Sequence, residues 1–316
     1  MAVGCTMAAS ALAQTDSTST SAHVIDNVTV TGHRFPAGII SSAPVQSLTK
    51  EQMLDMGVND IGEAMKHFAG VQVKDYGGIG GLKTVNIRGL GAQHTAVTYD
   101  GVQVGDCQSG QVDLSRFTLD NISTFRLTIG QGDDIYQSAK SYASAGLIEI
   151  STVRKTETQH PYVSGTFKTG SYGLVEPSLL YIQDSKRTIF SAYASAQSAS
   201  GNYRFKMWNG THLIDAKRDN SDITAWRGET NLTYKLSARQ TLSWKLYGFD
   251  SDRGLPGPVV YDNNYAAERL RSKNVFTQLL YENILSERMK FKAAAKWNYT
   301  WDRDRDQKAG GPTEDI

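Results

Sequence analysis

From Phe291 to Asp302 the chain alternates with a period of two: Phe291, Ala293, Ala295, Trp297, Tyr299 and Trp301 share one parity, and Lys290, Lys292, Lys296, Asn298 and Asp302 the other. Such spacing describes a β-strand with one greasy and one wet face. The division recurs at Trp226, Leu232 and Tyr234 against Arg227, Glu229, Asn231 and Lys235, and at Leu242, Trp244 and Leu246 against Ser243 and Lys245. A soluble sandwich alternates as well, so the connections must discriminate. Three segments, 179–187, 232–239 and 279–288, each end a strand pattern in a tight polar turn carrying an Arg. Between them lie a short Gly170-Ser171-Tyr172-Gly173 turn and two long polar excursions, near 200–222 and 250–272. Short turns on one side and mostly longer loops on the other mark a transmembrane barrel. Alternating runs near 162–172, 174–183, 188–198, 223–235, 240–250, 273–285 and 289–302 predict seven strands.

Charge and hydropathy agree with that reading. Lys and Arg total 33 against 32 Asp and Glu, which leaves no basic face for nucleic acid. No run approaches the ~18 consecutive apolar residues of a membrane helix, a criterion that barrel strands escape. Near the N-terminus Ala11-Leu12-Ala13 precedes Gln14 as at a secretory cleavage site. None of the six residues before Met7 is charged, so residues 1–13 are read as a truncated signal peptide, the alternative being a chance match. Cys5 lacks the upstream segment of a lipoprotein signal, and after cleavage Cys107 alone would remain, too few for an internal disulfide or a cysteine-built zinc site. Residues 14–22 are small and polar, a disordered spacer. The β-branched run Ile25 to Gly32 follows, suited to adding a strand to another protein's sheet or to opening the next domain.

Before Pro161 the texture is mixed. Thr49 with Gln52 three residues on has the spacing of a capping box for a helix starting around 47–54. Ile61, Ala64, Met65 and Phe68 recur at helical spacing, and Gly70 stops that helix. Short strands are predicted at 71–73, 84–87, 96–99, 125–129 and 146–150, separated by glycine turns. The whole is a compact α+β domain of about 120 residues. Catalytic chemistry finds no support in this pattern. Six histidines never fall at zinc-helix spacing, the Gly-x-Gly runs lack a third glycine, and no Gly-x-Ser-x-Gly elbow occurs. Asp133-Asp134 reads as a solvated loop. No enzyme, cofactor or metal is expected.

The run Val85-Asn86-Ile87-Arg88-Gly89, then Val97-Thr98-Tyr99-Asp100-Gly101-Val102, Asp113-Leu114-Ser115-Arg116-Phe117 and Ile122-Ser123-Thr124-Phe125 resembles the plug domain of TonB-dependent outer-membrane receptors. Ala145 to Thr152 resembles the closing strand of that plug, and Asp252-Arg253-Gly254-Leu255-Pro256-Gly257-Pro258-Val259 a loop after an early barrel strand. The resemblance implies an α+β plug domain (33–155) followed by antiparallel strands of a transmembrane β-barrel (156–316), with 14–32 a flexible segment. Asp26, Asn27, Val28, Thr29, Val30 and Thr31 match the TonB box. The family's Arg-Gly-Pro run is replaced by Ile129-Gly130-Gln131-Gly132, so Arg88 is the single candidate for a plug–barrel contact. Loops implied to face outside supply Tyr76, Gln93, His94 and Gln108 as substrate-binding candidates. Plugged transporters have about 22 strands, so seven would be an N-terminal fragment, since an open sheet edge in lipid is costly. The implied function is import of a scarce nutrient, a ferric siderophore first and cobalamin or haem next. Its partners would be TonB, outer-membrane lipid and a small-molecule substrate such as a metal chelate, with no nucleic acid. The rival is a surface-exposed structural or adhesion β-protein, which needs neither box nor plug.

Overall fold

The computed structural model describes residues 43–58, 60–76, 78–105, 110–132, 134–153, 160–257, 267–306 and 314–315. The expected spacer, the box at 26–31 and Gln108 lie outside them.

The first part of the chain builds a small mixed layer. Strand β1 (Val45–Thr49) runs into helix α1 (Lys50–Asp55). The capping box is present: Thr49 Oγ1 accepts from the Gln52 amide and Gln52 Oε1 from the Thr49 amide. The predicted N-cap is correct, but Ser47 and Leu48 belong to the strand, because their backbone pairs with a partner some 80 residues away. Helix α2 (Ile61–Lys66) is capped by Asp60, which accepts from the Glu63 amide, and buries Ile61, Ala64 and Met65. Phe68 follows and stacks on Phe125.

Strands β2 (Val71–Asp75), β3 (Lys83–Ile87), β4 (Thr95–Tyr99), β5 (Val102–Val104) and β6 (Ile122–Ile129) come next, then helix α3 (Ala139–Tyr142) and strand β7 (Gly146–Thr152). Five strands form one sheet in the order β1-β6-β7-β4-β5, with β4 and β7 parallel and the other neighbours antiparallel. The hairpin β2–β3 stands apart from it. Strand β5 was not foreseen; three residues are too few to show a period.

Beyond Pro161 the described residues form strands and turns, with one single-turn 3-10 element at Ser171–Gly173. Strands β8 (Tyr162–Gly170), β9 (Leu174–Asp184) and β10 (Thr188–Ala199) lead into the hairpin β11 (Tyr203–Asn209) and β12 (His212–Arg218). Then follow β13 (Ile223–Lys235), β14 (Gln240–Leu255), β15 (Glu268–Ser286), β16 (Met289–Asp306) and the two-residue β17 (Glu314–Asp315). The sheet order is β17-β16-β15-β14-β13-β10-β9-β8, all antiparallel. All seven predicted strands are therefore found. The excursion at 200–222 proves to hold the hairpin β11–β12, and β14 and β15 run several residues past their expected ends. Among the described residues no helix is long and apolar enough to cross a membrane.

Parity decides which way each strand residue faces. In β13 and β14, Arg227, Glu229, Asn231, Lys245, Tyr247, Phe249, Ser251 and Arg253 are buried, whereas Trp226, Leu232, Trp244 and Leu246 are exposed. The wet face is thus the inner one, packed on the α+β layer. The greasy face points outward, the reverse of a water-soluble sheet and the order expected of a lipid-facing wall.

Candidate functional site

The seam between the α+β layer and the inner face of β13–β16 carries an unusual density of buried charge. Its centre is Lys245, 3% exposed at its side chain. Its Nζ lies 2.5 Å from Asp100 Oδ2 and 2.5 Å from Glu229 Oε1. Tyr99 donates its hydroxyl to Glu229 Oε2 at 2.5 Å, and its ring centroid is 4.0 Å from the Lys245 ammonium. Burial, then the charges of Glu229 and Asp100, push the Tyr99 phenol well above its ordinary range. It therefore stays protonated and serves as a donor. Asp100 holds the turn after β4 at φ +52°, accepting also from the Thr152 amide at 2.9 Å and the Thr152 hydroxyl at 2.8 Å. One carboxylate thereby joins the ends of β4 and β7 to the wall.

A second buried pair lies nearer the ends of the strands with long connections. Arg253, fully buried on β14, places Nη2 3.0 Å from Asp113 Oδ2. Asp113 also accepts from the backbone amides of Lys83 and Ser115. Burial alone would raise its pKa, but the Arg253 and Arg116 guanidinium groups and those hydrogen bonds together hold the carboxyl below its usual range. Lys83 is affected in the opposite sense. Desolvation lowers its affinity for a proton, yet Asp60 at 2.5 Å and Asp75 at 3.7 Å outweigh this and raise its pKa.

Between these pairs the wall reaches for main-chain acceptors. Arg227 donates to the carbonyls of Ser115 and Arg116, Tyr247 to the carbonyl of Arg116, Gln278 to that of Tyr99 and Lys296 to that of Gln103. An aromatic group of Tyr99, Phe117, Tyr247 and Phe276 fills the space between, with centroids 4.7–6.4 Å apart.

The residues expected from the resemblance fall elsewhere. Arg88 is exposed at φ +51°, and among the described residues no carboxylate pairs with it. Tyr76 is 54% exposed, in a turn whose other limb brings Gly80 against Ile223 and Ser221 of the wall. Gln93 and His94 are exposed in a short turn before β4. The seam residues were visible in the sequence without being singled out. Tyr99, Asp100 and Asp113 stand inside the motifs that carry the resemblance, and Arg227, Glu229 and Lys245 on the wet parity of their strands. A charge alternating with tryptophan on a strand read as lipid-facing was the signal for a polar interior contact.

Comparison with known proteins gives this geometry a setting. Residues 40–143 match the family described as TonB-dependent Receptor Plug Domain. The Vitamin B12 transporter BtuB of Photobacterium profundum is 32% identical over 128 residues, 40% of this chain and 20% of that protein. That of Vibrio vulnificus is 29% identical over 258 residues, 79% of this chain and 38% of the relative. Among solved structures, the Copper transporter OprC superposes with a TM-score of 0.64 at 14% identity, covering 84% of this chain and 38% of its own. The ferric citrate transporter FecA gives 0.62 at 17%, covering 83% and 40%. The chain thus spans two fifths or less of the length of each of these proteins. Its α+β layer is a plug packed against a seven-strand wall, and the chain accordingly carries the plug domain of the TonB-dependent receptors together with antiparallel strands of their barrel fold.

Proposed function

We propose that the protein imports a scarce nutrient across an outer membrane, with energy delivered by TonB through the segment Asp26 to Thr31. The seam supports this reading most directly: a plug is held to the inner face of a lipid-facing wall by buried ion pairs and hydrogen bonds around a shared aromatic cluster, the arrangement by which a plug would close a barrel. A structural or adhesion protein has no use for such a closure. The sequence relatives, named as vitamin B12 transporters, favour a cobalamin as cargo, while the siderophore receptors among the structural neighbours keep a ferric siderophore as the second reading.

The box is tested by Val28→Pro in the full-length receptor. Proline removes an amide donor and fixes φ, so strand pairing with TonB fails. Energised uptake of cyanocobalamin or a ferric siderophore falls to the unenergised background, while binding of the same cargo at the cell surface is retained. Unchanged uptake removes the assignment.

The outward loops carry a further expectation. Tyr76 offers an exposed ring and His94 an exposed imidazole, so Tyr76→Ala with His94→Ala weakens cargo binding about tenfold, the size of one or two lost polar contacts. Equilibrium binding on purified receptor checks it. Wild-type affinity eliminates both residues as contacts.

A further inference from the structure

A cavity of about 470 Å³ opens between the plug and strands β8, β9, β10, β13 and β14. Small-molecule sites commonly fall at about 300–1,000 Å³. Its lining is divided: Phe117, Phe249 and Leu174 give an apolar side, and carboxylates from both bodies give the other.

The decisive group is Glu176 on β9. It is 8% exposed and lines the cavity, and no described residue gives its carboxylate a hydrogen bond. Its cross-strand neighbour on β8 is Lys168, the natural counter-ion. That ammonium instead sits 2.6 Å from Asp120 of the plug. Of the other two cations at the cavity, Lys83 is held by Asp60 and Asp75, and Arg227 gives Nε and Nη2 to the Arg116, Ser115 and Gln197 oxygens, its buried Nη1 making no hydrogen bond to Glu176 or to any other described residue. A carboxylate this enclosed, opening onto the cavity without a protein donor, is costly, and such a group in a native structure calls for a partner. An ammonium supplies both the N–H and the charge that this carboxylate lacks.

We propose that this cavity is an inner binding site for a small amphipathic amine, or for the ammonium-bearing part of the imported cargo. The cationic N–H is held by Glu176 and the carbon portion rests on the Phe117, Phe249 and Leu174 side. The assignment to cargo rests on the import reading; the amine site itself does not. It lies between plug and wall; Asp75 and Ile79 on either side of the Tyr76 turn line it, whereas Tyr76 and His94 do not.

The test uses full-length receptor in detergent with benzylamine hydrochloride and the neutral isostere benzyl alcohol, followed by ligand-observed NMR. Benzylamine binds the wild type and binds Glu176→Gln at least about tenfold more weakly, the loss expected for one charge-assisted hydrogen bond. Benzyl alcohol does not distinguish the two. Leu174→Trp, which fills the cavity from the β8–β9 turn, excludes benzylamine and serves alone if Glu176→Gln does not fold. Equal benzylamine affinity for wild type and Glu176→Gln, binding that survives Leu174→Trp, or no binding to the wild type overturns the site. Any of these leaves import standing if Val28→Pro still abolishes uptake. Conversely, uptake that survives Val28→Pro removes import while the amine site stands on its own titration.

Discussion

Lys245→Met is expected to release the plug from the wall at markedly lower denaturant than the wild type requires. The side chain keeps its length but loses the ammonium bonded to both Asp100 and Glu229. Two carboxylates then remain in a buried site, each 2% exposed at its side chain. Removing one partner of a buried ionic cluster costs about 3–5 kcal/mol, a large share of the ~5–15 kcal/mol that holds a typical domain folded. Hydrogen bonds from Thr152 to Asp100 and from Tyr99 and Asn231 to Glu229 come from neutral groups and carry no compensating charge. Limited proteolysis of the plug in detergent, with single-channel leak in planar bilayers, reads the effect. Adding Glu229→Gln should restore part of the loss, because one uncompensated charge disappears and coupled sites are not additive. Proteolysis and leak equal to wild type in the single variant would falsify the latch.

Arg253→Leu should be nearly as damaging, and its partner makes plug retention sensitive to acid. The Asp113 carboxyl has a folded-state pKa below its ordinary value of about 3.9. Its contribution is therefore present above that ordinary value and is lost as pH falls through the lower, folded-state value. Lys83 acts at the other extreme. Its raised pKa makes its contribution complete below the ordinary lysine value of about 10.4 and lost only as pH rises past the folded-state value. Plug retention should accordingly be level from about pH 5 to pH 9 and fall below about pH 4. Asp113→Asn lowers retention at pH 7, because Arg253 is left buried without its counter-ion at a cost of about 3–5 kcal/mol. The same variant flattens the acid limb. Protease resistance measured from pH 7 to pH 3 separates the two effects, and an acid limb identical in Asp113→Asn would assign it to other carboxylates.

Much of the wall was legible because a two-residue period survives in single strands. Trp226 and Lys245 fall on opposite parities, and the structure puts one outside and the other inside. The helix caps were legible for the same local reason: Thr49 and Gln52 satisfy each other within one turn. What escaped was non-local. Val102–Val104 is a strand only because Val97, Thr98 and Tyr99 lie beside it. The hairpin from Tyr203 to Arg218 lay within a stretch read as a polar excursion, although Tyr203, Phe205 and Met207 alternate with Arg204 and Lys206; its partner stretch His212–Arg218 shows no such period. The seam was half-read. Its residues stood in recognised motifs, but nothing in one dimension says that Asp100 meets Lys245, 145 positions later. Arg88 drew attention by analogy, and the described wall offers it no partner.

The donors that Arg227, Tyr247, Gln278 and Lys296 aim at main-chain carbonyls impose an unequal constraint on the two bodies. A carbonyl is present whatever residue occupies the position, so the side chains of Ser115, Arg116 and Gln103 are free to drift without loosening those bonds. The wall enjoys no such freedom, since each of its donors is a particular side chain at a particular register. Grafting a different plug into this wall should therefore succeed where the backbone path is kept together with acids at the positions of Asp100, Asp113 and Asp120 and the rings of Tyr99 and Phe117, with the plug residues that meet the wall only through their carbonyls open to exchange.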